Sequence, residues 1–207
     1  MIVVGLTGSI GMGKSTAAEM LAQMGIPVHD SDVAARKAAA DGGAAIPQLL
    51  KTFPQAFDAA GKLDRGLLGQ LIFNDDAKRL ALEAIIHPVV QQSQQDWMRA
   101  RAAEGHKIVV LDIPLLYETG AGARVDKVIV VSAPFFIQKK RVMARPGMTE
   151  SKFKGILASQ MPDHEKRARA DFVVLTGLGK VYTERALQKV IGSLLNGQSH
   201  NFPPYAR

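Results

Sequence analysis

An apolar run from Ile2 to Leu6 leads straight into Gly8-Ser9-Ile10-Gly11-Met12-Gly13-Lys14-Ser15, and a helical pattern begins where that loop ends. Glycines let the backbone curl until successive N–H groups point inward, and the following helix adds its unpaired first-turn amides and positive end. The spacing from Gly8 through Gly13-Lys14-Ser15 is the phosphate-binding P-loop pattern, and a strand before with a helix after is the context it requires. Lys14 is then placed to reach the β- and γ-phosphates of a nucleotide, Ser15 to ligate Mg²⁺, and Thr16 to offer a second hydroxyl near the α-phosphate. The bland alternative is a glycine-rich turn that happens to precede a helix. A dinucleotide-binding loop fits poorly, because the Lys-Ser pair has no role in one.

The rest of the chain repeats the strand-then-helix alternation. A helix is predicted from Lys14 to about Met24, with Ala17, Met20, Leu21 and Met24 on one face and Gly25-Ile26-Pro27 stopping it. Ile26 to His29 reads as a second strand ending at Asp30, and Lys107–Leu111, Lys127–Val131 and Phe172–Leu175 read as three more. Short Val- and Ile-rich runs of this kind are buried parallel strands. The fold class is therefore α/β, a parallel five-stranded sheet flanked by helices, with ligands beyond the carboxyl ends of the strands, where Gly8, Asp30 and Asp112 fall. A long excursion, 44–105, reads as mostly helical. Leu63, Leu67, Leu68, Leu71 and Ile72 form one amphipathic segment, and Leu80, Leu82, Ile85, Ile86, Val89 and Val90 a second, in which His87-Pro88 should kink or restart the helix. The expected organisation is a single domain with a core of 1–43, 106–135 and 162–196, an acceptor-binding insertion of 44–105 and a lid of 136–161. The tail from Asn196 to Arg207 is expected to be frayed or loosely docked.

Composition removes several classes of function. The 207 residues are 47% hydrophobic and 22% charged, enough for a buried core and against wholesale disorder. There is no cysteine, so disulfides, thiolate metal sites and cysteine nucleophiles are excluded, which fits a reducing, cytoplasmic setting. The apolar start has no basic lead-in and reads as a strand rather than a signal peptide, and no apolar run is long enough to span a membrane. A formal charge of +7 suits a polyanionic ligand. The basic residues between Lys139 and Arg169 lack the aromatic interleaving of a base-stacking surface, so nucleic acid is not the expected partner, and no obligate protein partner is implied.

Carboxylates and basic residues supply the candidates for chemistry. Asp30 and Asp32 follow the second strand; each is placed either to steer and deprotonate an acceptor hydroxyl or to cap the helix through Val33-Ala34-Ala35-Arg36. Arg36, one turn beyond Asp32, either pairs with it or contacts the acceptor. Asp112 closes the run Ile108–Leu111 in a Walker-B-like position, to reach Mg²⁺ directly or through water, or else forms a strand-end turn. Leu115, Leu116 and Tyr117 are either an apolar wall at the cleft mouth or core. His87 has no ligand spacing with His29, His106, His164 or His200, so a metal there is not expected. Arg141 and Arg145, at i and i+4, would share a helical face, serving either as a lid over a donor or as a solvated basic surface.

Taken in order, these segments resemble the dephospho-coenzyme A kinase family of P-loop kinases. The resemblance runs from Gly5 to about Leu195 and rests on Gly5–Ser15, Asp30-Ser31-Asp32 with Ala35-Arg36, Leu63-Asp64-Arg65 and His87-Pro88. It continues through Asp112-Ile113-Pro114-Leu115-Leu116-Tyr117-Glu118, Arg141, Arg145, Gln160 and Ala170-Asp171. It implies ATP-dependent phosphorylation of the ribose 3′-hydroxyl of dephospho-CoA, with Mg²⁺ as the metal. It further implies Asp32 as the base, Lys14 and Arg141 as stabilisers of the migrating phosphoryl group, and Ser15 on Mg²⁺. Arg65, His87, Leu115, Leu116 and Tyr117 would belong to the dephospho-CoA site and Arg145 would lie near the donor. Two positions depart from the family pattern: Ser31 stands where alanine is usual, and Leu175-Thr176-Gly177 replaces an Asp-Asn pair whose asparagine is expected near the adenine.

Other readings explain less. A kinase for another nucleotide or small alcohol does not account for the long helical insertion or the Asp-Ile-Pro-Leu-Leu segment. A guanine-nucleotide switch lacks any Asn-Lys-x-Asp segment, and a nucleic-acid-binding protein would rest on net charge alone.

Overall fold

The computed structural model describes residues 1–73 and 75–197. Five strands, β1 (Ile2–Thr7), β2 (Val28–Asp30), β3 (Ile108–Asp112), β4 (Lys127–Ser132) and β5 (Phe172–Leu175), form one sheet in the order β2-β3-β1-β4-β5. The helices are α1 (Lys14–Gln23), α2 (Ser31–Ala38), α3 (Ile46–Thr52), α4 (Arg65–Phe73), α5 (Asp76–Ala103), α6 (Phe135–Met143), α7 (Glu150–Ala158), α8 (Asp163–Arg169) and α9 (Lys180–Leu195). β1 pairs in parallel with β3 on one side, Val4 opposite Val110, and with β4 on the other, Leu6 opposite Ile129. Since the chain leaves β1 first toward β2 and later crosses to β4, the order reverses at the central strand. The loop after β1 therefore opens at the switch point, where a parallel sheet offers its crevice.

The chain divides into two compact units, one holding Met1–His29 and the residues from Arg101 onward, the other Asp30–Ala100. In the first, every residue of β3 and all but the first of β4 are buried. Val4, Leu6, Val110, Ile129 and Val131 pack with Ala17 and Leu21 of α1 and with Leu187 and Val190 of α9. Burying each such aliphatic side chain contributes about 1.5–3 kcal/mol. In the second unit, Leu49 and Phe53 are sealed against Ala38, Ala45, Ala56 and Leu68, with Leu82, Ile85, Ile86 and Val89 closing over them.

Local expectations meet three corrections. α5 runs unbroken through Pro88, with no restart at His87-Pro88. Proline removes one backbone bond, but the apolar residues on both sides of it, Leu82, Ile85, Ile86 and Val89, pack on the same core, which holds the two halves in one helix. Leu63 lies outside α4 and forms an isolated antiparallel bridge with Phe57. Leu80 is 63% exposed rather than on the apolar face. Of the expected tail, all beyond Gly197 lies outside the described residues.

Candidate active site

The loop after β1 is shaped by glycines that nothing larger could replace. Gly11 and Gly13 have φ of 75° and 89°, the left-handed region that side chains rarely adopt. A Cβ on Gly8 would lie 2.6 Å from Val131 Cγ2, and one on Gly11 would lie 2.5 Å from Val142 Cγ2. Gly13 is the residue before α1, no side chain caps that helix, and no acidic residue stands in its first turn. The first-turn amides of Lys14, Ser15 and Thr16 and the positive helix end thus face a ligand site with no competing protein carboxylate from the helix itself.

Lys14 reaches across to the neighbouring strand. Its Nζ lies 2.5 Å from Oδ1 of Asp112, the last residue of β3, whose side chain is only 5% exposed. Asp112 is fixed by the segment after it: Ile113 N donates to Leu6 O at 3.0 Å, and the carbonyl of Pro114 accepts from Thr7 Oγ1 at 2.9 Å and Lys166 Nζ at 3.3 Å. Lys166 is fully buried and pairs with Glu118 at 2.8 Å. Burial alone would raise the Glu118 carboxyl, but hydrogen bonds from Lys166 and the Met161 N–H outweigh it and hold it below its ordinary value. Beside this pair, burial raises the Asp163 carboxyl despite the hydrogen bond it accepts from Ser132 at 2.7 Å.

The loop is also held from outside by α6 and the segments beyond it. Gln138 Nε2 donates to Ile10 O at 2.8 Å, and Gln160 Oε1 accepts from Ile10 N at 3.0 Å. Arg141 Nη1 donates to Gly11 O at 3.3 Å and to Thr176 Oγ1 at 3.0 Å, and Nη2 donates to Thr176 O at 2.7 Å. Arg141 is therefore at the loop, not on a solvated face. Arg145 does not share its helical face: α6 ends at Met143, and the residue before Pro146 is disfavoured from continuing a helix. Ser9 is buried and Ser15 exposed, while Ala133 N donates to Met12 Sδ at 3.1 Å, so Met12 packs inward.

Of the apolar trio, Leu115 is 39% exposed and Leu116 is fully buried against Gly5. Tyr117 lies with Val125, Asp126 and Asp171, at the amino ends of β4 and β5, with Arg169 6.0 Å above its ring. That is the sheet edge opposite Lys14 and Asp112. Burial, then the nearby Asp171, pushes the Tyr117 hydroxyl up to about 12, against the pull of Arg169.

In the Asp30–Ala100 unit, the capping alternative resolves by residue. Asp30 is the cap of α2, its Oδ1 accepting from Val33 N at 2.9 Å, and Asp32 stands exposed in the first turn. Asp32 and Arg36 form no ion pair among the described residues. Arg65 Nη2 instead donates to Arg36 O at 3.1 Å, bringing a cation to the negative end of α2. Ser31, at the family's usual alanine, accepts from Gln94 Nε2 of α5 at 2.9 Å. His87 is exposed on α5. Gln138, Gln160 and Thr176 hold the phosphate loop, yet nothing in their spacing marked them as doing so.

No group of three His, Cys, Asp or Glu side chains able to hold a metal occurs among the described residues, and no helix among them is long and apolar enough to cross a membrane.

A family model described as dephospho-CoA kinase matches residues 2–178. A dephospho-CoA kinase of Mesorhizobium japonicum is 48% identical over 194 residues, covering 94% of this chain and 97% of that one. A crystal structure of a Thermus thermophilus protein superposes with a TM-score of 0.82 at 35% identity, covering 94% and 97% of the two chains. The dephospho-CoA kinase of Campylobacter jejuni does so with a TM-score of 0.63 at 27% identity, covering 93% and 96%. With the glycine-bent loop, its lysine and the carboxylate that meets it all inside the matched region, the chain belongs to the dephospho-CoA kinase family.

Proposed function

We infer that this chain transfers the γ-phosphoryl group of ATP to the ribose 3′-hydroxyl of dephospho-CoA, giving CoA and ADP, the last step of coenzyme A biosynthesis. The observation that carries the reading is the Lys14–Asp112 pair at the foot of the phosphate loop, within a family match spanning residues 2–178. The loop 8–13 and the first turn of α1 bind the donor phosphates through backbone N–H groups, with Thr16 toward the α-phosphate and Arg145 near the donor. Lys14 and Arg141 stabilise charge on the phosphoryl group in flight. Arg141's bonds to the loop and Thr176 use three of its five N–H groups, leaving two for a ligand. Asp32 takes the proton of the acceptor hydroxyl, and Arg36, Arg65, His87 and Leu115 bind dephospho-CoA; Leu116, buried against Gly5, and Tyr117, at the amino ends of β4 and β5, are left out of that site.

Ser15 and Asp112 supply a hydroxyl and a carboxylate, hard oxygen donors that suit Mg²⁺, an ion that draws its remaining ligands from phosphates and water. Asp112, whose Oδ1 also accepts from Lys14, would reach the ion through water. When bound, Mg²⁺ neutralises charge on the β- and γ-oxygens. Residues 136–161 serve as the lid and the helical insertion as the acceptor lobe of a cytoplasmic enzyme that needs no nucleic acid or obligate protein partner.

The test is a transfer assay from ATP against a panel of dephospho-CoA, nucleoside monophosphates and shikimate. Saturable transfer to dephospho-CoA alone is expected. Preference for another acceptor would overturn the substrate assignment, and no transfer to any would overturn the enzymatic reading.

A further inference from the structure

We propose that Thr176 is a positioning residue for phosphoryl transfer: through its hydroxyl and carbonyl it locks the phosphate loop and Arg141 into one geometry. The proposal rests on the reading that the loop binds the donor phosphates and that Arg141 stabilises the group in transfer.

Thr176 follows β5 and is 7% exposed. Its N–H donates to Ser132 O at 2.8 Å, which extends the β4–β5 pairing one residue and fixes its backbone. Its Oγ1 lies 2.6 Å from Met12 O and 3.0 Å from Arg141 Nη1. A hydroxyl carries one hydrogen, and the guanidinium can only donate. The short contact is therefore the hydroxyl donating to Met12 O while it accepts from Arg141; Ser132 O, at 3.4 Å, is the poorer acceptor. Meanwhile the Thr176 carbonyl accepts from Arg141 Nη2, so the arginine is gripped at two atoms of one residue.

The loop consequence follows from peptide geometry. In a trans peptide the C=O of one residue and the N–H of the next point in opposite directions. Holding Met12 O toward Thr176 aims the Gly13 N–H the other way. Gln138 does the same two residues earlier, since holding Ile10 O aims the Gly11 N–H the opposite way. The Thr176 side chain also fills the space beside Gly13, where a Cβ would lie 3.3 Å from its Cγ2. One side chain thus sets a loop amide, packs against the glycine before Lys14 and orients the cation.

Thr176→Val keeps the branched shape and removes the hydroxyl; Thr176→Ser keeps the hydroxyl. Steady-state kinetics with ATP and dephospho-CoA on the full chain, alongside thermal unfolding, separate the two. Thr176→Val is expected to lower kcat by about 10- to 100-fold and to raise the KM for ATP, the scale for a misaligned reacting group. The KM for dephospho-CoA should stay within about twofold and Thr176→Ser should recover most of the loss, a split that mere loss of packing would not give. Wild-type kinetics in Thr176→Val, or equal impairment in Thr176→Ser, would overturn the proposal. If Thr176→Val does not fold, Thr176→Cys, with its weak thiol donor, must fall between wild type and inactivity; turnover equal to that of Thr176→Ser would overturn it. Lys14→Ala is the reference: its loss of turnover supports the loop reading independently of Thr176, whereas full turnover in Lys14→Ala removes the reading and the proposal together.

Discussion

Lys14 Nζ lies 2.5 Å from Asp112 Oδ1, tying the phosphate loop to the end of the neighbouring strand with both side chains largely covered. The contact gives the ammonium a fixed position and the carboxylate a counter-charge. Removing Lys14 takes the charged partner from a carboxylate that is only 5% exposed.

Lys14→Ala should therefore lose stability as well as turnover. Saturated turnover is expected to fall by about 10²-fold or more, and unfolding stability by about 1–3 kcal/mol as the Asp112 carboxylate loses its charged partner. Adding Asp112→Asn should recover much of the stability and none of the turnover. Denaturant unfolding and turnover of the single and double variants check this, and recovery of both together would contradict it.

Asp32→Asn tests the proposed base. The fold and both substrate affinities should persist, while saturated turnover falls by about 10²- to 10⁴-fold. Saturating Mg²⁺ should not rescue it. Asp30→Ala, in contrast, removes the cap of α2, where Asp30 Oδ1 accepts from Val33 N, so its loss should appear mainly in unfolding stability, at about 0.5–2 kcal/mol. Near-normal turnover in Asp32→Asn, measured beside circular dichroism, would remove the assignment.

Ser31 and Gln94 predict a coupling. Gln94 is 3% exposed and Ser31 Oγ accepts from its Nε2. Ser31→Ala should cost about 1–3 kcal/mol because that amide loses an acceptor while remaining buried. Ser31→Ala combined with Gln94→Met should cost less than the sum of the singles. Urea unfolding midpoints decide it, and additive losses would show that the hydrogen bond contributes nothing.

Acid stability should depend on Glu118. Its folded carboxyl binds a proton less readily than its unfolded one, so the stabilisation is complete above the ordinary value of 4.5 and is lost as pH falls through the lower folded value. Asp163, raised by burial, shifts the other way, but it is common to wild type and Glu118→Gln and cancels in their difference. Glu118→Gln should lie below wild type at neutral pH and converge with it in acid. Lys166→Met, which leaves the carboxylate with the Met161 N–H but no charged partner, should cost about 1–3 kcal/mol at neutral pH. Thermal unfolding across pH checks both, and parallel pH profiles for wild type and Glu118→Gln would contradict the first.

Sequence patterning reached the five strands and the phosphate loop because both depend on local chemistry: strand burial imposes Val- and Ile-rich runs, and the loop imposes glycines at fixed spacing. It placed Asp112 at a strand end correctly for the same reason, since β3 is buried throughout and must turn polar where it leaves the core. What was not legible depends on long-range partners. Asp30 and Asp32 are equally good caps in sequence, and the bond to Val33 N separates them only in three dimensions. Arg141 and Arg145 keep helical spacing on paper, but α6 ends at Met143 and the two residues part. Thr176 looked like a departure from a family pattern, yet its hydroxyl meets Met12, 164 residues earlier in the chain.

The most direct measurement is the position of the transferred phosphate. The purified full chain, incubated with ATP, Mg²⁺ and dephospho-CoA, should yield ADP and CoA in equal amounts, with phosphorus NMR placing the new monoester on the ribose 3′-oxygen. A 3′-deoxy analogue of dephospho-CoA should bind and accept no phosphate. Phosphate on any other oxygen, transfer to the 3′-deoxy analogue, or ATP consumed without CoA formed would contradict the assigned reaction.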